Sequence, residues 1–282
     1  DESKETCSGS VLNFTPKGLI PGSTFTWTVN QVSGINGAAD SSQPSPSILN
    51  TLINTTNGPL DLVYQITPFI GDCPGDPFSL TVTVLPSAGI SFSIPDQVLC
   101  TGTSSEEILI SSDVATATFS WTAIANGVQG VTLSGSGNKI PVQNLTNPTA
   151  NPITVEYRVT AFTGSQNSCS GIPQIYKITV NPSISLIEEV SDFSGFGISC
   201  FGANDGRISI IPRGGNGNFT FTWTGPGGFT ADTQTIGNLI PGTYELLIED
   251  EFGCSISSEY TLTEPTVLQV SLVEKTDVFC TG

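Results

Sequence analysis

Three times along this chain a cysteine is followed by a tryptophan and then by a second cysteine. Cys7, Trp27 and Cys73 are followed by Cys100, Trp121 and Cys169, and then by Cys200, Trp223 and Cys254. Cys280 is left over in Phe279-Cys280-Thr281-Gly282, which echoes Cys100-Thr101-Gly102 and Cys200-Phe201-Gly202. It reads as the first half of a fourth unit, and the chain as an internal piece of something larger. A self-similar array of cysteine-bearing modules points to an extracellular stalk and away from an enzyme.

The first two units share a register. Cys7 to Cys100, Tyr64 to Tyr157 and Phe69 to Phe162 are each offset by 93 positions. Every unit closes with an alternating strand and a proline: Leu80-Thr81-Val82-Thr83-Val84 before Pro86, Tyr176-Lys177-Ile178-Thr179-Val180 before Pro182, and Tyr260-Thr261-Leu262-Thr263 before Pro265. Proline gives no N–H to a ladder, so it ends each strand at a defined place. These signals divide the chain into modules at 1–86, 87–182 and 183–265, with 266–282 opening a further, truncated repeat. No Gly/Ser linker separates them, so the expected array is an extended rod with stiff joints.

Short Val/Ile/Phe/Tyr runs separated by Thr, Ser, Asn, Gly and Pro are strand-and-turn chemistry, and no helical periodicity exceeds two turns. The fold class expected is all-β, as tandem immunoglobulin-like sandwiches. In the third module Phe219-Thr220-Phe221-Thr222-Trp223 alternates and buries one face. Tyr244, just after Pro241-Gly242 at the head of a late strand, resembles a tyrosine corner. Asp250-Glu251-Phe252-Gly253 makes a hairpin, and Asn204-Asp205-Gly206 is read as another, which places Cys200 opposite Ile211. Trp27, Trp121 and Trp223 are read as core residues rather than sugar platforms, together with Tyr64, Tyr157 and Tyr244.

The spacing predicts one clasp per module: Cys7–Cys73, Cys100–Cys169 and Cys200–Cys254, with Cys280 unpaired within the chain. Oxidised cysteines imply an extracytoplasmic home.

The net charge is −17, from 25 acids against 8 bases, and the third module alone carries −9. That excludes a phosphate-backbone binder and disfavours an anionic membrane surface. No apolar run is long enough to span a bilayer. With no histidine in the chain, neither a Ser-His-Asp constellation nor a His-based zinc site can form. The acidic pairs Glu106-Glu107, Glu188-Glu189 and Glu249-Asp250-Glu251 read as solvated strand ends rather than as a glycosidase pair. Calcium is the one ion weighed, with Asp72, Asp76, Asp205 and Asp250 as loop carboxylates near sandwich ends, although no stretch matches a calcium loop. Asn13, Asn54, Asn144 and Asn218 each begin an Asn-x-Ser/Thr triplet, which chance explains in a chain this rich in Asn and Thr.

Cys200-Phe201-Gly202-Ala203-Asn204-Asp205-Gly206, Gly214-Gly215, Phe219 to Trp223, Asn238-Leu239 through Gly242-Thr243-Tyr244, and Asp250 to Cys254 together resemble a SprB repeat. That module recurs in very large surface adhesins of gliding Bacteroidota. The first two units, on Thr24-Phe25-Thr26-Trp27 and Thr118-Phe119-Ser120-Trp121, resemble PKD-like immunoglobulin-type domains. The resemblance implies a non-catalytic segment of a cell-surface filament, exported by type IX secretion and moved by the gliding machinery. Its adhesive contacts, to a surface or polysaccharide, would lie outside this segment. The alternative is that the modules themselves bind polysaccharide as accessory modules of a secreted multidomain protein.

Overall fold

The computed structural model describes residues 2–17, 20–165 and 169–271. Cys280, and with it the expectation for the truncated repeat beyond 271, lies outside the described residues. The described chain is β throughout, with a 3-10 turn at Pro226–Gly228 and no α-helix. It divides into two compact units. One comprises Asp1–Gln97, Ser104–Leu145 and Thr154–Thr179; the other comprises Val98–Thr103, Thr146–Ile153 and Val180–Gly282.

Strict alternation builds the first module. Leu62, Tyr64 and Ile66 on strand Leu60–Ile70, and Leu80, Val82 and Val84 on strand Phe78–Leu85, are fully buried, while the residues between them stay on the other face. These strands pair antiparallel, with Thr24–Val29 on one side and Glu2–Cys7 on the other. The first strand runs parallel to the last, and Cys7 lies opposite Leu85. Leu12 and Ile48, from the pair Val11–Phe14 and Ile48–Thr51, close the same core from the facing sheet.

The second module repeats this order with Gln97–Cys100, Gln174–Asn181, Ile153–Thr163 and Thr118–Ile124, and adds strand Ser134–Ser136 at the edge. That addition decides the fate of its tryptophan. Gly135 lies against the Trp121 ring, so closely that a Cβ there would fall 2.4 Å from Cζ2, and Trp121 is buried. In the first module Thr24–Val29 is itself the sheet edge, and Trp27 is only partly buried. Trp27 packs against the core as expected but is less buried than the other two, because its edge is paired only by the irregular segment around Ser41 and Ser45 and not by a full strand. All three indoles still donate to a downstream carbonyl: Trp27 to Ala39, Trp121 to Lys139 and Trp223 to Thr233, at 3.0, 3.1 and 2.9 Å. Acrylamide should therefore quench roughly one of the three emitters, and Trp27→Phe should abolish the quenchable part. Equal quenching of the wild type and Trp27→Phe would contradict this assignment.

In the third module Phe219–Gly225, Gly242–Asp250 and Ser255–Leu262 form an antiparallel sheet around Trp223 and Tyr244. The tyrosine corner is present: the Tyr244 hydroxyl donates to the Ile240 carbonyl at 3.0 Å and accepts from its N–H at 3.1 Å. The Asp250 hairpin is present too, with Gly253 at φ 81. The Asp205-Gly206 hairpin is not. Strand Gly206–Arg213 pairs with Ser185–Val190, so Ile211 faces Ile187 rather than Cys200. Gly206 is glycine for packing: a Cβ there would sit 2.7 Å from both Ile198 Cδ1 and Leu262 Cδ1.

All five tyrosines of the chain hold their hydroxyl pKa above the ordinary value, in each case chiefly through burial. For Tyr64 and Tyr260 it is pushed up to about 12, and at Tyr260 the hydrogen bond to Glu188 adds to burial. A folded pKa above the unfolded one keeps its stabilisation below pH ~10 and loses it as pH rises toward 12. Tyrosinate absorbance should accordingly stay low through pH ~10 and rise together with loss of structure. Free ionisation near pH 10 in folded protein would show the tyrosines to be solvated.

Candidate functional site

Where the cysteines fall follows from strand direction. In the first module the first strand is parallel to the last, so Cys7, at its end, meets the end of the last strand, and Ser8 N–H donates to the Leu85 carbonyl at 2.9 Å. Cys73 sits in the hairpin that precedes that last strand, opposite Ile70. An eight-residue strand separates the two by about 26 Å, whereas a disulfide needs Cα atoms within about 7 Å. The same holds in the second module, where Thr101 N–H donates to the Asn181 carbonyl at 3.0 Å while Cys169 precedes strand Gln174–Asn181. In the third, residues 198–202 run beside Thr263 and Glu264, while Cys254 precedes strand Ser255–Leu262. Early cysteines thus lie at the exit end of each module, and late cysteines at the receiving end.

The disulfides obey that geometry. Cys7 bonds Cys169, and Cys100 bonds Cys254, with Cα–Cα distances of 5.4 and 5.5 Å. Cys73 and Cys200 are exposed and unbonded. The expected clasps Cys7–Cys73, Cys100–Cys169 and Cys200–Cys254 are therefore corrected: each bridge runs from the exit end of one module to the receiving end of the next. The closed loops span 162 and 154 residues. A loop of that length stabilises by about 5 kcal/mol in the chain-entropy model.

Each bridge sits in a built junction. At the first, within one compact unit, the Thr163 hydroxyl donates to the Pro86 carbonyl at 2.9 Å, and Leu85 and Ala88 are buried. Gly171 lets the chain pass closely, since a Cβ there would fall 2.4 Å from the Ala88 oxygen. At the second, within the other unit, Asn181 is wholly buried and its Oδ1 accepts from Asn216 Nδ2 at 3.0 Å. Gly214, at φ +77, lies under the Ser183 carbonyl. Asp250 is the keystone of this loop: its carboxylate accepts the backbone N–H groups of Asn216, Phe252 and Cys254, each at 2.9 Å.

That arrangement also accounts for the calcium candidates. Asp250 spends its oxygens on backbone N–H groups, and Asp205 is held below the ordinary carboxyl pKa by Ser199, first through its hydroxyl and then through its N–H, which donates at 3.1 Å. Asp72 and Asp76 are exposed on either side of Cys73. Among the described residues no three acidic, cysteine or histidine side chains gather where they could hold a metal ion. Of the acidic pairs, Glu107 meets Lys139 at 2.8 Å and Glu188 accepts from Tyr260 at 2.7 Å.

Two residues at these junctions escaped the sequence reading. Asn54 and Asn147 are buried, and each side-chain amide makes four hydrogen bonds. Asn54 donates to the Gly58 and Val84 carbonyls and accepts from the Thr56 N–H and hydroxyl. Asn147 does the same with Asn151, Val180 and Thr149. Their own N–H groups donate to Ser8 and Thr101, the residues after the early cysteines. The signal was available: the two Asn-x-Thr triplets are 93 positions apart, as the cysteines are. In sequence alone Asn54 reads as one of four chance triplets.

Comparison with known proteins places these modules. No curated protein matches the chain. Solved structures of similar build include titin domains I67–I69 (9% identity, covering 94% of this chain and 96% of that one, TM-score 0.39). They also include the mouse nectin-like molecule 4 ectodomain Ig1–Ig3 (13%, 96% and 100%, 0.37) and the N-terminal eight Ig domains of Down syndrome cell adhesion molecule (11%, 93% and 41%, 0.43). Likeness at that level carries no functional argument. Residues 198–228 match the SprB repeat. The model of the PKD-like domain matches residues 4–88 and again 97–184, more than half of the chain, and this protein therefore belongs to the PKD-like domain family.

Proposed function

We propose that this chain is a structural repeat segment of a large cell-surface adhesin filament that serves gliding motility and attachment, exported by type IX secretion and without catalytic activity. The observation that supports it most is the pair of bridges that run from module to module rather than within one. A bridge of that kind adds little to a module that acts alone, but it limits how far neighbours can part under load. The SprB match beside tandem PKD-like domains supports the surface setting, and two cystines fit an oxidising compartment outside the cytoplasm. Among the described residues no helix is long and apolar enough to cross a membrane. The extended rod and the boundaries at 86, 182 and 265 belong to this reading. Small-angle scattering of the fragment should give an elongated profile, and a globular one would remove the stalk's physical basis. Antibodies against the segment should label intact cells, and its deletion should abolish surface attachment; an antigen confined to the cytoplasm would end the proposal.

One observation favours the second reading, polysaccharide binding. The partly exposed Trp27 lines an open groove with Asp40, Ser41, Gln43, Gln65 and Thr67, an aromatic face among polar groups. On a glycan array the stalk reading expects no saturable binding. Saturable binding lost in Trp27→Ala would instead establish the first module as a sugar-binding module.

A further inference from the structure

The two bridges follow one rule: the early cysteine at the exit end of a module takes the late cysteine at the receiving end of the next. Cys73 and Cys200 hold the two positions that the rule leaves open. Cys73 pairs in register with Ile70 on a two-residue strand, as Cys169 does with Thr163, and both are followed by a turn in which a glycine N–H donates at 2.8 Å, Gly75 to Pro68 and Gly171 to Ala161. Cys200 is at an exit end, two residues before Gly202, whose N–H donates to the Glu264 carboxylate at 2.6 Å.

A second observation concerns the surface around Cys73. It borders an apolar groove of about 490 Å³ lined by Ile20, Phe25, Phe69, Ile70, Pro74 and Phe78. On the second module the corresponding surface, around Thr163 and Gly171, is covered by Pro86 to Ala88 arriving from the first. Among the described residues the same end is thus filled in one module and uncovered, with its cysteine exposed, in the other.

We propose that Cys73 and Cys200 are half-cystines of a continuous disulfide ladder. Cys73 takes the early cysteine of a preceding module of the same polypeptide, whose exit segment fills the apolar groove, and Cys200 takes the late cysteine of a following one. This rests on the reading of the chain as a segment of a longer array. Each bond joins two thiols as one disulfide. The two protons and two electrons pass to the disulfide of a dithiol–disulfide oxidoreductase in the oxidising compartment, which leaves as a dithiol.

The test uses the native protein on intact cells. Free thiols are blocked with iodoacetamide before lysis, and the protein is digested without reduction and mapped by mass spectrometry. Cys73 should be recovered only in a cross-linked peptide with a cysteine N-terminal to it, and Cys200 only with one C-terminal to Cys280, since Cys280 is itself an early cysteine. Cys73→Ser should expose one new alkylatable cysteine upstream. Recovery of Cys73 or Cys200 in alkylated form, or bonded to each other within or between copies, would overturn the ladder. The intact mass separates the two failures. An alkylated Cys73 in a longer chain sinks the ladder alone, whereas a mature protein of this segment's length sinks the array reading with it.

Discussion

Pulled between residues 7 and 254 until every module has unfolded, the oxidised chain should stop lengthening at about 240 Å. After reduction it should reach about 860 Å. The two bridges make residues 7 and 169 one knot and residues 100 and 254 another. Three stretches of backbone then join the same two knots in parallel: 7 to 100, 100 to 169 and 169 to 254. The shortest, 69 residues from Cys100 to Cys169, sets the limit at ~3.5 Å per residue. Cys73→Ser and Cys200→Ser should leave that limit unchanged, while Cys100→Ser should raise it to about 300 Å, the length of the 85 residues from Cys169 to Cys254. Had each module carried its own clasp, Cys73→Ser would instead release the whole stretch from 7 to 73. Force spectroscopy on the single-cysteine variants distinguishes the two arrangements directly, and a longer limit in Cys73→Ser would refute the bridging described here.

Asn147→Ala should destabilise by about 3–5 kcal/mol, a large share of the total stability of an ordinary domain. The side chain is 3% exposed, and its amide binds the Val180 and Asn151 carbonyls at 2.8 and 2.7 Å while its oxygen binds both donors of Thr149. Truncation leaves the buried Val180 carbonyl and the Thr149 N–H without these partners, and each orphan costs ~1–3 kcal/mol. Asn147→Asp should be worse, because a carboxylate would face two carbonyls where an NH₂ now donates. The matching Asn54→Ala should show the same loss in the first module. Urea unfolding measures both, and a change within ~0.5 kcal/mol would mean the loop is held by something else.

Much of the fold was legible because it is local. Alternation over Leu60–Ile70 and Phe78–Leu85 assigns strands and buried faces from the two-residue period alone. The Asp250–Gly253 turn and the Tyr244 corner were readable because their partners lie within four residues. Positions that depend on distant neighbours were not. Trp27 and Trp121 occupy the same register, yet one is partly exposed and the other buried, because only the second module supplies a strand that lays Gly135 across the ring. Gly206 looks like a turn glycine in sequence and is a packing glycine in space.

The cysteines mark the division most clearly. The repeat itself determined that they come in pairs, one early and one late per module, and that they belong to sandwiches of about equal length. It could not determine the pairing, since six cysteines admit fifteen connectivities. What decided it is that the first strand runs parallel to the last, with Cys7 beside Leu85. That direction sets the two cysteines of one module a full strand length apart and brings the exit end of each module against the receiving end of the next. Strand direction in a sheet is a property of tertiary packing, and the spacing of residues along the chain does not encode it.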